Sequence, residues 1–202
     1  VYELCRGTFR EEYHITEERI LESLFEDPDF SAEESKKIVD EKNGRMIGFI
    51  GVKVSHNEQL YPASAWISIF AVKKEEQGKG YGTMVLNQVC QSLHKNGINK
   101  IYVGQDFNNF FSGIPDPDEG KEIFFKKNGF TLNRDRHFDL EADITDNRLI
   151  DSFDTSSFDK EFTVASYKDN KKELLGFLER EFPGRWVFEA EEAIAEGKDP
   201  ES

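Results

Sequence analysis

The stretch QGKGYGT, Gln77 to Thr83, lies between an apolar run and a long segment of helical periodicity, and its closely spaced glycines decide how the chain is read. Spacing excludes two familiar phosphate loops. A Walker loop needs a glycine where Lys73 stands, and a dinucleotide fingerprint built on Gly80 and Gly82 needs one where Val85 stands. Strand, glycine-rich turn and helix is still an arrangement that points several backbone N–H groups at one spot, where the positive end of the helix dipole adds to them. A Cβ at Gly80 or Gly82 would hold a diphosphate away from those amides, and such turns often require positive φ. Lys73, Lys74 and Lys79 surround the stretch and would favour an anion locally. On these residues alone, an anion site and a flexible connection with a solvated lysine face both stay open.

Upstream, ASAWISIFAVK reads as a largely buried strand carrying Trp66, Ile69 and Phe70. KKIVDEKNGRMIGFIGVKV reads as two strands around Asn43-Gly44, a hairpin signal because both turn residues tolerate positive φ. The opening residues, up to Pro28, carry apolar positions at helical spacing and predict two short helices. Downstream, TMVLNQVCQSLHKNG predicts a helix with Met84, Val85, Leu86, Val89, Cys90 and Leu93 on one face, stopped at Gly97. NKIYVGQDF is then a strand, DEGKEIFFKKNGF a helix with acid first and lysine last, and FTLNRDRHFDLEA strand material. From Asp143 to Lys160 the chain turns polar, as a linker would. EFTVASY reads as a strand and NKKELLGFLEREF as an amphipathic helix. ELLGFLEREFPGRW can be laid on ELCRGTFREEYHIT near the start, which makes an internal duplication a live expectation.

The 202 residues, 37% of them hydrophobic and 13% aromatic, suffice for one good core or one core and part of another. A formal charge of −14 opposes nucleic acid and anionic membranes as partners, because both are polyanions. No apolar run reaches the roughly 20 residues of a membrane span. Cys5 and Cys90 suggest two reduced buried thiols in a cytoplasmic protein rather than a disulfide or zinc site. His14, His56, His94 and His137 show no metal-ligand spacing, so no metal is expected. Trp66 and Trp186 are read as core residues.

Taken with their neighbours, the glycines resemble the signature of the GNAT superfamily of N-acetyltransferases: Gln or Arg, two residues, Gly, one residue, then Gly or Ala. Gln77, Gly80 and Gly82 fill it. The resemblance extends to WISIFAVKKEE, to KIYVGQDF and to FFKKNGF, and covers most of residues 1 to 140. It implies an α+β fold with a mixed, mostly antiparallel twisted sheet flanked by helices, whose central strands splay to admit acetyl-CoA. It also implies main-chain pairing of Phe70, Ala71 and Val72 with pantetheine. The amides of Gln77, Gly78, Lys79, Gly80, Tyr81, Gly82 and Thr83 would cradle the diphosphate, with Phe125 alongside. On the same basis residues 1–142 are a GNAT-like acyl-CoA-binding domain lacking its first strand, 143–160 a linker, and 161–202 part of a second unit, read as the start of a second GNAT domain.

The implied reaction is direct attack of a primary amine, on a small molecule or peptide and on a small molecule sooner than a protein, upon acetyl-CoA in a ternary complex. Three departures bear on it. Phe125 stands where many relatives place a tyrosine acid, and the strand from Ala63 to Val72 lacks the glutamate that some use as a base; Asp118 and Lys121 replace a usual Asn and Ala. The general acid and base are thus unassigned. An acyl-CoA-binding module without catalysis is the alternative, an interaction domain without CoA a more distant one, and a dimer is left open. GQDFNNFFSGIPDPDEG offers Phe110, Phe111 and Asp116, with Phe107 and Asp118 nearby, as walls and charges for a cationic or amino-sugar acceptor; equally, its rings could cap the core.

Overall fold

In a computed structural model the described residues are 1–114, 119–133 and 166–197, and they fall into two compact units, Val1–Asp135 and Arg136–Ser202. Among its described residues the first holds a four-stranded sheet: β1 (Lys36–Asp40), β2 (Arg45–Val54), β3 (Ser64–Val72) and β4 (Lys100–Val103), in that spatial order. The first two pairings are antiparallel and the third is parallel. A parallel neighbour requires a crossover, supplied by α3 (Tyr81–Lys95). The amino-terminal helices are α1 (Tyr2–Thr8) and α2 (Glu17–Ile20, continued as a π-type turn through Phe25), and α4 (Glu119–Lys127) follows the sheet.

Both faces of the sheet are covered, which is why β2 reads as a continuous apolar run. On one face Ile47, Ile50, Val52, Ala65 and Ile67 pack with Val85, Leu86, Val89 and Leu93 of α3 and with Phe125 of α4. On the other, Phe49, Ile69 and Ala71 pack with Leu4, Cys5, Phe9, Ile20, Leu24 and Phe110. Of the six apolar residues expected on the core face of α3, Met84 is instead 48% exposed, because it sits on the opposite side of the first turn.

Several expectations need correction. The β1–β2 connection is a four-residue turn organised by Asp40, whose carboxylate accepts from Lys42 N and Asn43 Nδ2, so only Gly44 takes positive φ. The strand begun at Lys100 stops at Val103, because Gly104 and Gln105 both turn left-handed, with φ 68 and 61. Phe130 to Asn133 carry no strand, and the remainder of that segment, with the linker and most of EFTVASY, lies outside the described residues; Tyr167, at its end, opens a 3-10 turn.

The second unit, within its described residues, consists of that turn, α5 (Lys171–Glu181) and α6 (Arg185–Glu196). Trp186, expected in a core, is 62% exposed. It continues a surface row in which the Phe177, Phe182 and Trp186 rings follow at centroid separations of 5.9 and 6.0 Å.

Candidate functional site

The glycine stretch forms the turn before α3. After β3 the chain makes a 3-10 turn, Lys74–Glu76, and Gly78 and Gly80 then take φ of 73 and 87, conformations that L side chains rarely adopt. Gly80 is the N-cap of the 15-residue α3, and no side chain caps that end. Its first-turn amides and dipole are therefore presented as an anion-binding end. A Cβ built on Gly80 meets nothing within 4 Å, whereas one on Gly82 would touch the Phe124 ring at 3.4 Å. The lysine field is weaker than the sequence suggested. Lys79 Nζ lies 2.9 Å from Glu76 Oε2, a hydrogen bond that raises the lysine pKa and sets a carboxylate beside the turn.

Beside this turn the sheet opens. β3 pairs with β4 only from Ser64 to Ile67, and the last bond runs from Gly104 N–H to the Ile67 carbonyl at 3.0 Å. From Ser68 to Val72, β3 continues without β4. Lys73 N–H donates to the Ile47 carbonyl at 2.9 Å. Alternation along an antiparallel ladder then turns the main chain of Ile69 and Ala71 toward β2 and that of Phe70 and Val72 toward the open side. Gln77 Nε2 donates to the Val72 carbonyl at 2.8 Å, which ties the glycine turn to this edge. The Phe70 ring sits 5.7 Å from Phe124 and 6.1 Å from Phe125, so α4 walls the same region. Phe125 itself is 7% exposed and belongs to the core on the α3 side.

At the vertex of the fork lies a polar cluster that the sequence reading missed. Ile67 pairs with Val52 and Ile69 with Gly51, so Ser68 is the extra residue of a β-bulge. Its Oγ donates to Asp106 Oδ2 at 3.1 Å. Lys53 Nζ lies 2.5 Å from the same oxygen and 2.9 Å from Asp27 Oδ2, and donates to the Phe107 carbonyl at 2.8 Å. Lys53 and Asp106 are both 0% exposed. Burial pushes the Asp27 pKa up, against the lowering effect of Lys53. One signal was available: Lys53 is the only charge in the apolar part of β2, Met46 to Val54.

The segment after β4 packs inward. Arg19 donates to the Phe110 carbonyl at 2.9 Å, Asn108 Nδ2 donates to the Glu22 carbonyl at 3.0 Å, and Phe110 is 1% exposed within the core. Phe111 is half-buried against Phe9 and Tyr13, at 5.1 and 5.6 Å. Asp116 and Asp118 lie outside the described residues, as does His137. His56 Nδ1 is 2.5 Å from Asp29 Oδ1. Burial raises the thiol pKa of Cys5 to about 11 and also pushes that of Cys90 up. Among the described residues no group of three side chains is placed to hold a metal ion, and no helix is long and apolar enough to cross a membrane.

The sequence model of the acetyltransferase (GNAT) family matches residues 1–112. A glucosamine N-acetyltransferase region of a fungal multi-domain β-N-acetylglucosaminidase superposes with a TM-score of 0.72 at 19% identity, covering 97% of this chain and 23% of that one. A ribosomal-protein alanine N-acetyltransferase from Escherichia coli gives 0.48 at 15% identity, covering 64% of this chain and 68% of that one. No match was found among curated proteins. At such identities the first likeness shows the fold, while the family model spans more than half of the 202 residues. The chain belongs to the GNAT family of acetyltransferases.

Proposed function

We propose that the protein transfers the acetyl group of acetyl-CoA to a primary amine on a small molecule or peptide, by direct attack in a ternary complex. The observation that carries this reading is the continuity of the open β3 edge with the uncapped start of α3, joined by the Gln77–Val72 bond. The residues present fit a pantetheine diphosphate: Phe70 and Val72 offer main-chain partners on the open side, with Ala71 between them. Gln77 to Thr83 offer amides for the diphosphate, and Phe124 and Phe125 a wall. Acetyl-CoA would supply an activated thioester; the protein's part is to orient it and exclude water.

The acceptor side is less defined. Phe111 and Tyr13, both partly exposed, offer aromatic rings suited to a cationic amine, with the buried Phe9 packed against Phe111. A small molecule is favoured over a protein, and the name of the fungal neighbour makes glucosamine the first amine to assay. Phe125 favours a second reading, a binding module without catalysis, because it holds no proton for a departing thiolate. Two free thiols, Cys5 and Cys90, support a reducing, cytoplasmic setting. Residues 161–202 are read as the start of a second unit of the same kind.

The test is release of CoA thiol from acetyl-CoA with glucosamine, spermidine or Nα-acetyl-lysine as acceptor. Amine-dependent release supports transfer; saturable acetyl-CoA binding with no release supports the module. Gly80→Val is expected to weaken acetyl-CoA binding at least tenfold, since its side chain would occupy the space before the α3 amides. Gly97→Val, with a similar φ of 85 and equal free space at the far end of α3, serves as the control for backbone strain. Equal affinities of the two variants would count against the diphosphate site.

A further inference from the structure

The glutamate that some relatives use as a base is missing from β3, yet the fork vertex carries a carboxylate joined to a hydroxyl. We propose that Ser68 accepts the proton of the attacking amine and passes its own to Asp106, so that this pair serves as the general base; the inference rests on the transferase reading above. Ser68 is the first β3 residue beyond the last β4 partner, and the bulge turns it toward the same sheet face as its neighbour Ile69, the α1–α2 side. Its hydroxyl proton is committed to Asp106 Oδ2 at 3.1 Å, which leaves its lone pairs as acceptors for an N–H.

The surrounding charges explain why the acid can take a proton. Lys53 from β2 sits between Asp106 and Asp27, so that, among the described ion pairs of this group, two carboxylates share one ammonium. Uptake of one proton neutralises an excess negative charge in a dry site. Beyond these, Asp29 accepts from the backbone N–H and contacts the imidazole of His56, and its own N–H donates to Asp27, while Arg19 of α2 is engaged by the Phe110 carbonyl.

The step balances as follows. The amine nitrogen forms its bond to the thioester carbon and the carbon–sulfur bond breaks, its electron pair leaving with sulfur. The nitrogen's surplus proton moves to Ser68 Oγ as the Ser68 proton moves to Asp106; the thiolate takes a proton from water, and the proton held by Asp106 returns through Ser68 to neutralise the hydroxide left behind, which restores the base and leaves amide and CoA thiol as the products. Phe125 is then not required as an acid.

Ser68→Ala and Asp106→Asn, assayed with the most active of the three amines, test this. For Ser68→Ala the expected result is an acetyl-CoA Kd within twofold of wild type by calorimetry, with kcat lowered about 100-fold at neutral pH. The deficit should shrink as pH rises and free amine and hydroxide replace the lost base. Asp106→Asn should show the same split between kcat and Kd; because it also disturbs Lys53, Ser68→Ala is the deciding variant. A Ser68→Ala kcat within threefold of wild type, or a parallel loss at every pH, overturns the assignment while leaving the transferase reading in place. Wild-type protein that binds acetyl-CoA yet releases thiol with none of the amines overturns both.

Discussion

Replacing Lys53 by methionine is expected to destabilise the first unit by about 3–5 kcal/mol, the usual cost of removing one partner from a buried ion pair. Lys53 is wholly buried, and its ammonium stands between the carboxylates of Asp27 and Asp106 while donating to the Phe107 carbonyl. Methionine keeps the stem but leaves two buried carboxylates without their cation. The loss should be visible as a fall in the thermal midpoint of roughly 10 °C, at about 2–4 °C for each kcal/mol in a protein of this size. Adding Asp27→Asn and Asp106→Asn to Lys53→Met should recover most of it, because uncharged groups need no counter-ion. A single variant as stable as wild type, or a triple variant no better than the single, would show that the cluster is not held by charge.

Gly104→Ala is the second large effect, expected to cost about 2–4 kcal/mol, through backbone strain and a forced clash. Gly104 has φ 68, and a Cβ there would stand 2.5 Å from the Phe111 carbonyl oxygen and 2.7 Å from Gly113 N, both main-chain atoms that cannot swing aside. The chain closes on itself here because Gln105 N–H donates to that same Phe111 carbonyl at 3.1 Å. Urea midpoints of Gly104→Ala and Gly97→Ala provide the comparison. Gly97 shares the positive φ but faces open space, so its variant should lose only about 1 kcal/mol. Equal losses would mean that conformational preference alone, and not the close approach, makes Gly104 a glycine. The position matters for the site because Gly104 carries the last hydrogen bond of the β3–β4 pairing, and Asp106 follows two residues later.

The sheet and its helices were legible because their signals are local. Alternation and apolar runs marked β1 to β3, and Gly97 marked the end of α3 with φ 85. The order of β3, glycine turn and α3 carried the family resemblance. What stayed hidden depended on tertiary contact. Strand propensity runs on through Tyr102 and Val103 toward Phe107, and nothing local announces that two left-handed residues, Gly104 and Gln105, turn the chain back onto Ser68. Asp106 looks like one more acid in an acidic chain, and Lys53 like a solvated strand residue. Their pairing across 53 positions of sequence is what makes them a site. The aromatic segment left two readings open, an acceptor wall or a cap on the core, and Phe110 takes the second place, sealed under Arg19, whose guanidinium lies 4.9 Å above its ring. Trp186 shows the reverse error, since helical spacing does not say which face a neighbour will cover.

Calorimetric titration of acetyl-CoA into the 202-residue protein, at low and moderate salt, tests the central claim most directly. The account predicts saturable binding of one acetyl-CoA per chain, weakened by salt because part of the affinity is the attraction of a diphosphate to the α3 amides. Absence of saturable heat at either salt concentration would contradict it.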